Sequence, residues 1–121
     1  MTDFLVADAS SVIRKVARRI LEDLGFTVRE AEDAGHALDL CREAMPDMAL
    51  IDWNMPGLAG IELIAAIREL PGGGSPRILF LASEADVAKI ARAMRAGADD
   101  YMLKPFDRNS VEAKLREMGA L

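Results

Sequence analysis

The chain alternates short, wholly apolar runs with longer stretches whose apolar positions recur at helical spacing. Phe4-Leu5-Val6-Ala7 is the first short run, closed by Asp8. From Ser10 to Leu24, Val12, Ile13, Val16, Ile20, Leu21 and Leu24 follow the period of a helix, and Gly25 stands where a cap would end it. Phe26 to Ala31 alternates weakly, as a second strand. Ala34 to Ala44 is the next helix, with Ala37, Leu38 and Cys41 on one face, Asp33 placed to cap it and Pro46 beyond its end. Met48-Ala49-Leu50-Ile51 is again continuous and stops at Asp52, as expected of a parallel strand covered on both faces. Trp53 to Gly60 holds Asn54, Pro56, Gly57 and Gly60 and reads as a loop; Ile61 to Leu70 reads as a helix. Residues 71–76 are a flexible connector, and Ile78 to Leu81 is the fourth strand. Ser83 to Asp86 has the pattern of a capping box, which predicts a helix from there to Ala96, ended by Gly97. Tyr101 to Leu103 is the fifth strand, Lys104-Pro105 follows it, and Asp107 to Met118 is the last helix.

Five β-α units in strict alternation predict an α/β fold, one parallel sheet with helices on both faces, joined by right-handed crossovers. The order 2-1-3-4-5 comes with the flavodoxin-like class of such (βα)5 folds. In an open parallel sheet, ligands bind beyond the carboxyl ends of the strands. Asp8, Asp52, Ser83 and Lys104 all fall at those ends. With strands one and three as neighbours, the two carboxylates come close together, and their repulsion calls for a compensating cation or a proton. Lys104 supplies one positive charge, and a hard divalent ion such as Mg²⁺ suits carboxylate, carbonyl and water ligands.

Composition narrows the classes. At 121 residues the chain has the length of one domain, spanning 1–121. Fifteen Lys and Arg against twenty Asp and Glu give a formal charge of −5, which argues against DNA binding. One cysteine and one histidine exclude a disulfide framework and a cysteine-rich zinc site; Cys41 and His36 read as structural. No apolar run approaches the ~18 residues of a membrane span, and Met1-Thr2-Asp3-Phe4 lacks the basic start of a signal peptide, so no membrane insertion and a cytoplasmic address are expected. Gly72-Gly73-Gly74 precedes a strand, whereas phosphate-cradling glycines follow one. Lys89, Arg92 and Arg95 fall along one side of the fourth helix, either as a solvated face or as a docking surface for an acidic partner. Arg14, Lys15, Arg18 and Arg19 lie on the helix bordering the acidic pocket and are candidates to face a phosphodonor. Trp53, beside Asp52, either packs the loop or reports on the site.

The stretch Leu50-Ile51-Asp52-Trp53-Asn54-Met55-Pro56, with Lys104-Pro105-Phe106 and the Phe-Leu-Val-Ala-Asp8 opening, resembles the response-regulator receiver domains of the single-domain chemotaxis type. The resemblance covers essentially the whole chain. It implies that Asp52 accepts a phosphoryl group from a histidine kinase or phosphotransfer protein. It further implies Mg²⁺ between Asp8, Asp52 and the Asn54 carbonyl, Lys104 near the phosphoryl oxygens, with Ser83 as the substitute hydroxyl contact, and a cis bond before Pro105. Tyr101 becomes the aromatic switch residue. Output then passes by protein contact through the Lys89–Tyr101 face, with the flagellar motor or another signalling component as partner. Two departures matter. Ala9 replaces the second acid after the first strand, which predicts weak Mg²⁺ binding. Ala82 replaces the hydroxyl at the end of the fourth strand, so switching rests on Ser83 or is reduced. The alternatives are a pseudo-receiver that binds proteins without phosphorylation, or a phosphate sink. A flavin carrier is disfavoured because no phosphate-binding loop follows the first strand.

Overall fold

The computed structural model describes residues 2–121. Five strands, β1 (Asp3–Ala7), β2 (Thr27–Ala31), β3 (Met48–Asp52), β4 (Arg77–Ala82) and β5 (Asp100–Leu103), alternate with five helices. These are α1 (Ser11–Asp23), α2 (Ala34–Glu43), α3 (Gly60–Glu69), α4 (Val87–Ala96) and α5 (Arg108–Glu117). The sheet is parallel throughout, in the order β2-β1-β3-β4-β5. The β-α alternation predicts the parallel sheet with helices on both faces, and the strand order is that of the flavodoxin-like class.

Successive side chains of a strand point to opposite faces, and the apolar runs divide accordingly. Leu5, Ala7, Ala49, Ile51, Ile78 and Phe80 pack with Ala37, Cys41, Leu63, Ile64, Ile67 and Ala93 of α2, α3 and α4. Phe4, Val6, Leu50, Leu79 and Leu81 pack with Ala17, Leu21, Val111 and Leu115 of α1 and α5. Every β3 residue is buried, which is why its sequence shows no polar alternation.

Most predicted boundaries fall within a residue or two of the observed ones. The exception is α4. Its N-cap is Asp86, whose side chain accepts the Lys89 N–H, and Ser83 to Asp86 form a loop rather than a capping box. Asp86 wins because a charged carboxylate caps an N-terminus well and also meets the positive end of the helix dipole. The reciprocal capping box occurs on α5, between Asp107 and Ser110. The N-cap of α3 is Ala59, which offers no side-chain cap. Its first residue, Gly60, is fixed by proximity: a Cβ there would lie 2.1 Å from the Asp52 carbonyl oxygen. Only a glycine lets α3 begin directly against the end of β3. Cys41 is buried within the core, and His36 of α2 lies 2.9 Å from Glu32, which precedes that helix.

Candidate functional site: an acidic pocket at the carboxyl edge of the sheet

The register of the three central strands builds the pocket. Ala7 pairs with Ile51, so the next residues, Asp8 and Asp52, emerge side by side. Both are buried, at 1% and 4% exposure, and are the buried charged residues of the core. Lys104 follows β5, and its backbone N–H donates to the Ala82 carbonyl at 2.7 Å. From there its Nζ lies 2.8 Å from Asp8 Oδ2 and 2.9 Å from Asp52 Oδ1. The Lys104–Pro105 bond is cis, as the resemblance implies.

Two carboxylates share one ammonium, so the fully ionised pocket carries one net negative charge. Burial raises the Asp52 carboxyl above its ordinary range, and the Asp8 charge adds to this against the opposing pull of Lys104. Burial alone would lower the Lys104 ammonium, but its contacts with Asp8 and Asp52 outweigh that and raise it. The second oxygen of Asp8 accepts the Ser10 N–H at 2.9 Å. Asp8 Oδ2 and Asp52 Oδ1, by contrast, accept no well-angled hydrogen bond; they meet only the Lys104 charge. Two buried carboxylate oxygens that share a single ammonium are suited to a hard cation as well. Among the described residues no group of three or more acidic, histidine or cysteine side chains gathers around a metal position. Mg²⁺ is commonly held by only one or two carboxylates with water and carbonyl ligands, so the residues present fit it.

Asn54, the expected carbonyl ligand, lies in the loop after β3 beside a cleft of ≈ 330 Å³. Trp53, Ala59, Ile61, Glu62, Lys89 and Arg92 complete that cleft, and the Lys89 ammonium rests 3.9 Å from the Trp53 ring centroid. Trp53 packs against the core as a partly buried side chain and also carries the Lys89 ammonium on its face. Ala82 is buried and Ser83 is exposed one residue past the strand. Tyr101 is exposed on β5 with Lys114 Nζ 5.4 Å from its ring, while Arg95 is exposed and lies apart from the cleft lining.

The basic face of α1 is tied to the neighbouring strand. Arg14, Lys15 and Arg18 all reach Glu30 of β2, at 3.2, 2.8 and 3.0 Å. Arg14 also donates to the Asp8 carbonyl at 2.7 Å and to the Ala9 carbonyl at 3.3 Å. Glu30 thus anchors the guanidinium that holds the β1–α1 turn carrying Asp8. The sequence signal for this is slight, a lone Glu on a short strand after a basic helix. Burial would raise the Glu30 carboxyl, yet its three cations hold it below its ordinary value. A lowered acid stabilises the fold above its unfolded value of about 4.3, and that stabilisation is lost as pH falls through the folded value. Glu30→Gln should therefore cost about 1–2 kcal/mol at pH 7 in urea unfolding, less than a fully buried charged bond because Lys15 is exposed and Arg18 only half-buried. The difference should shrink towards zero below about pH 4; a pH-independent difference would refute the charge account.

With this geometry the comparisons agree. The chain belongs to the response regulator receiver domain family, which it matches over residues 4–116. Within that family it is a CheY-like response regulator of two-component signalling. It is 34% identical over 115 residues to the chemotaxis protein CheY of Pseudomonas aeruginosa, covering 94% of this chain and 93% of that one. It is 35% identical over 112 residues to CheY-3 of Vibrio cholerae, covering 92% and 86%. The solved structure of the chemotaxis response regulator CheY4 of Vibrio cholerae superposes with a TM-score of 0.92 at 30% identity, over 97% of this chain and 98% of that one.

Proposed function

We propose that Asp52 is the phosphoacceptor, taking its phosphoryl group from a phosphohistidine of a histidine kinase or phosphotransfer protein. The observation that carries this reading is the shared ion contact of Lys104 with Asp8 and Asp52 at the carboxyl edge of the sheet. An oxygen of the Asp52 carboxylate attacks phosphorus. A P–O bond forms, the P–N bond breaks, and the departing imidazole nitrogen keeps the electron pair and takes a proton. Lys104, already 2.9 Å from Asp52, holds a positive charge where the phosphoryl oxygens gather negative charge. Asp8, Asp52 and the Asn54 carbonyl would hold Mg²⁺, which supplies further charge neutralisation when bound. Ser83 is the nearest hydroxyl in sequence to the position that Ala82 leaves bare.

Output passes by protein contact through α4 and β5, where Arg92, Arg95 and Tyr101 are exposed. The partner class is a signalling component, with a flagellar motor protein favoured by the chemotaxis relatives. The chain acts in the cytoplasm as one receiver domain over 1–121; among the described residues no helix is long and apolar enough to cross a membrane. The pseudo-receiver reading is weaker because both aspartates and the lysine are retained in contact.

The deciding experiment is incubation with a phosphorylated histidine kinase and Mg²⁺. The label on this chain should be sensitive to hydroxylamine, as an acyl phosphate is, and Asp52→Asn should abolish it. Labelling that persists at Asp8 or elsewhere in that variant overturns the assignment.

A further inference from the structure

A switch needs a contact that differs between its two states; binding without one shifts nothing. At the end of β4 that contact cannot come from Ala82, whose buried side chain is only a methyl. Another group must respond to a phosphoryl group on Asp52, and most nearby cations are already committed. Lys104 serves both carboxylates. Arg14 is tied to Glu30 and to the Asp8 and Ala9 carbonyls, and Lys15 and Arg18 are tied to Glu30.

Lys89 differs from all of these. Among the described residues it takes part in no ion pair. It lies in the first turn of α4, where its backbone N–H is held by the Asp86 cap. Its ammonium rests on the face of Trp53, the residue covalently next to Asp52. The Trp53 backbone is fixed at both ends: its N–H donates to the Leu81 carbonyl at 2.9 Å, and its carbonyl accepts the Gly60 N–H at 3.0 Å. The neighbouring cleft, ≈ 330 Å³, gives the lysine stem room to swing.

We infer that Lys89 is the group through which α4 reads the modification: it rests on the Trp53 ring in the unmodified protein and moves to the phosphoryl oxygens once Asp52 carries them. The inference rests on the reading of Asp52 as acceptor and adds how this chain transmits that event. A cation over an aromatic face at a part-exposed site is a weak contact, whereas a charge-assisted hydrogen bond to a phosphoryl oxygen is among the strong ones. The pocket, already one charge negative, becomes more so on modification, and Lys89 is the unpaired cation that is held against Trp53, the residue next to Asp52. Its departure frees the Trp53 face and draws the first turn of α4 towards the pocket. The hydroxyl-driven step is thereby replaced by a cation-driven one, on the helix that borders the output face.

The test uses the full chain with Mg²⁺ and saturating beryllofluoride as the phosphoryl analogue. Fluorine NMR reports occupancy of the acceptor, the Lys89 Hε resonances report the ring contact, and the emission of Trp53, the single tryptophan, reports its own surroundings. In the free protein the Lys89 Hε protons should be shifted upfield by the indole ring, and beryllofluoride should return them to the position of the other lysines. Lys89→Met should lose at least half of the emission change and of the amide shifts over residues 85–96, and Lys89→Arg should restore part of both. Bound fluoride with Lys89 still ring-shifted overturns the inference alone, as does a full α4 response in Lys89→Met or a response removed by Ser83→Ala instead. Absence of bound fluoride in the wild type, or its persistence in Asp52→Asn, overturns the acceptor reading and this inference with it.

Discussion

Replacing Lys104 with Met should lower the unfolding free energy at pH 7.5 by about 3–5 kcal/mol, the cost typical of stripping a buried charge of its partner. Asp8 and Asp52 are almost fully buried, and their two inward oxygens meet no donor other than the Lys104 ammonium. Without it, two carboxylates face each other across adjacent strand ends, and one of them must take a proton or the pocket must open. The pH dependence gives the sign. The Asp52 carboxyl is already raised in the folded protein, so between its unfolded value, about 3.9, and its folded value the native state binds the extra proton. Stability therefore falls as pH rises through that window. Removing Lys104 widens the window upward, and the deficit of the variant should be larger at pH 7.5 than at pH 5. The raised Lys104 contributes its stabilisation in full below its unfolded value of about 10.4 and loses it only as pH climbs through the folded value, so it does not confuse the acid range. Urea unfolding of both proteins at the two pH values is the measurement. Adding Asp52→Asn to Lys104→Met should recover most of the loss, since it removes one of the two opposed charges. A single variant within about 1 kcal/mol of wild type at pH 7.5 would mean that water already screens the pair.

How much of this was legible beforehand follows from the kind of signal each feature leaves. The continuous runs at Phe4–Ala7, Met48–Ile51 and Ile78–Leu81 identified buried parallel strands because both of their faces are covered. Once those strands are placed, Asp8, Asp52 and Lys104 are brought to one edge by chain connectivity alone, and the structure joins them. Contacts without a local pattern stayed hidden. Nothing in the spacing of Trp53 and Lys89 announces that an ammonium from one loop-helix junction lies over an indole from another. The role of Glu30 was equally silent: the basic residues of α1 read as candidates to face a phosphodonor, and nothing in the sequence shows that three of them also meet one carboxylate. The start of α4 was misplaced for a local reason: Ser83 and Asp86 are both competent caps, and only the small dipole preference for a charge separates them. Gly60 stood out only as a loop residue, while its necessity lies in the backbone of Asp52 packed against it.

Restoring an acid at position 9 should strengthen Mg²⁺ binding by roughly tenfold, at the lower end of the 10–100-fold range set by losing even an outer-sphere partner of a metal. Ala9 is exposed immediately after Asp8, at the mouth of the pocket, so a carboxylate there adds a third negative group to the two already present. The reason for the lower end is Arg14, whose guanidinium already touches the Asp8 and Ala9 carbonyls and would compete with the metal for the new charge. In metal-free buffer the added charge crowds Asp8 and Asp52, and Ala9→Asp should be less stable than wild type. With saturating Mg²⁺ the order should narrow or reverse, because a tenfold tighter site adds about 1.4 kcal/mol of linked stability at equal metal concentration. Trp53 emission provides the titration signal and urea unfolding with and without Mg²⁺ provides the crossing. Equal affinities in the two proteins, or parallel unfolding curves that ignore the metal, would show that position 9 does not reach the ion and that the pocket is complete with Asp8 and Asp52 alone.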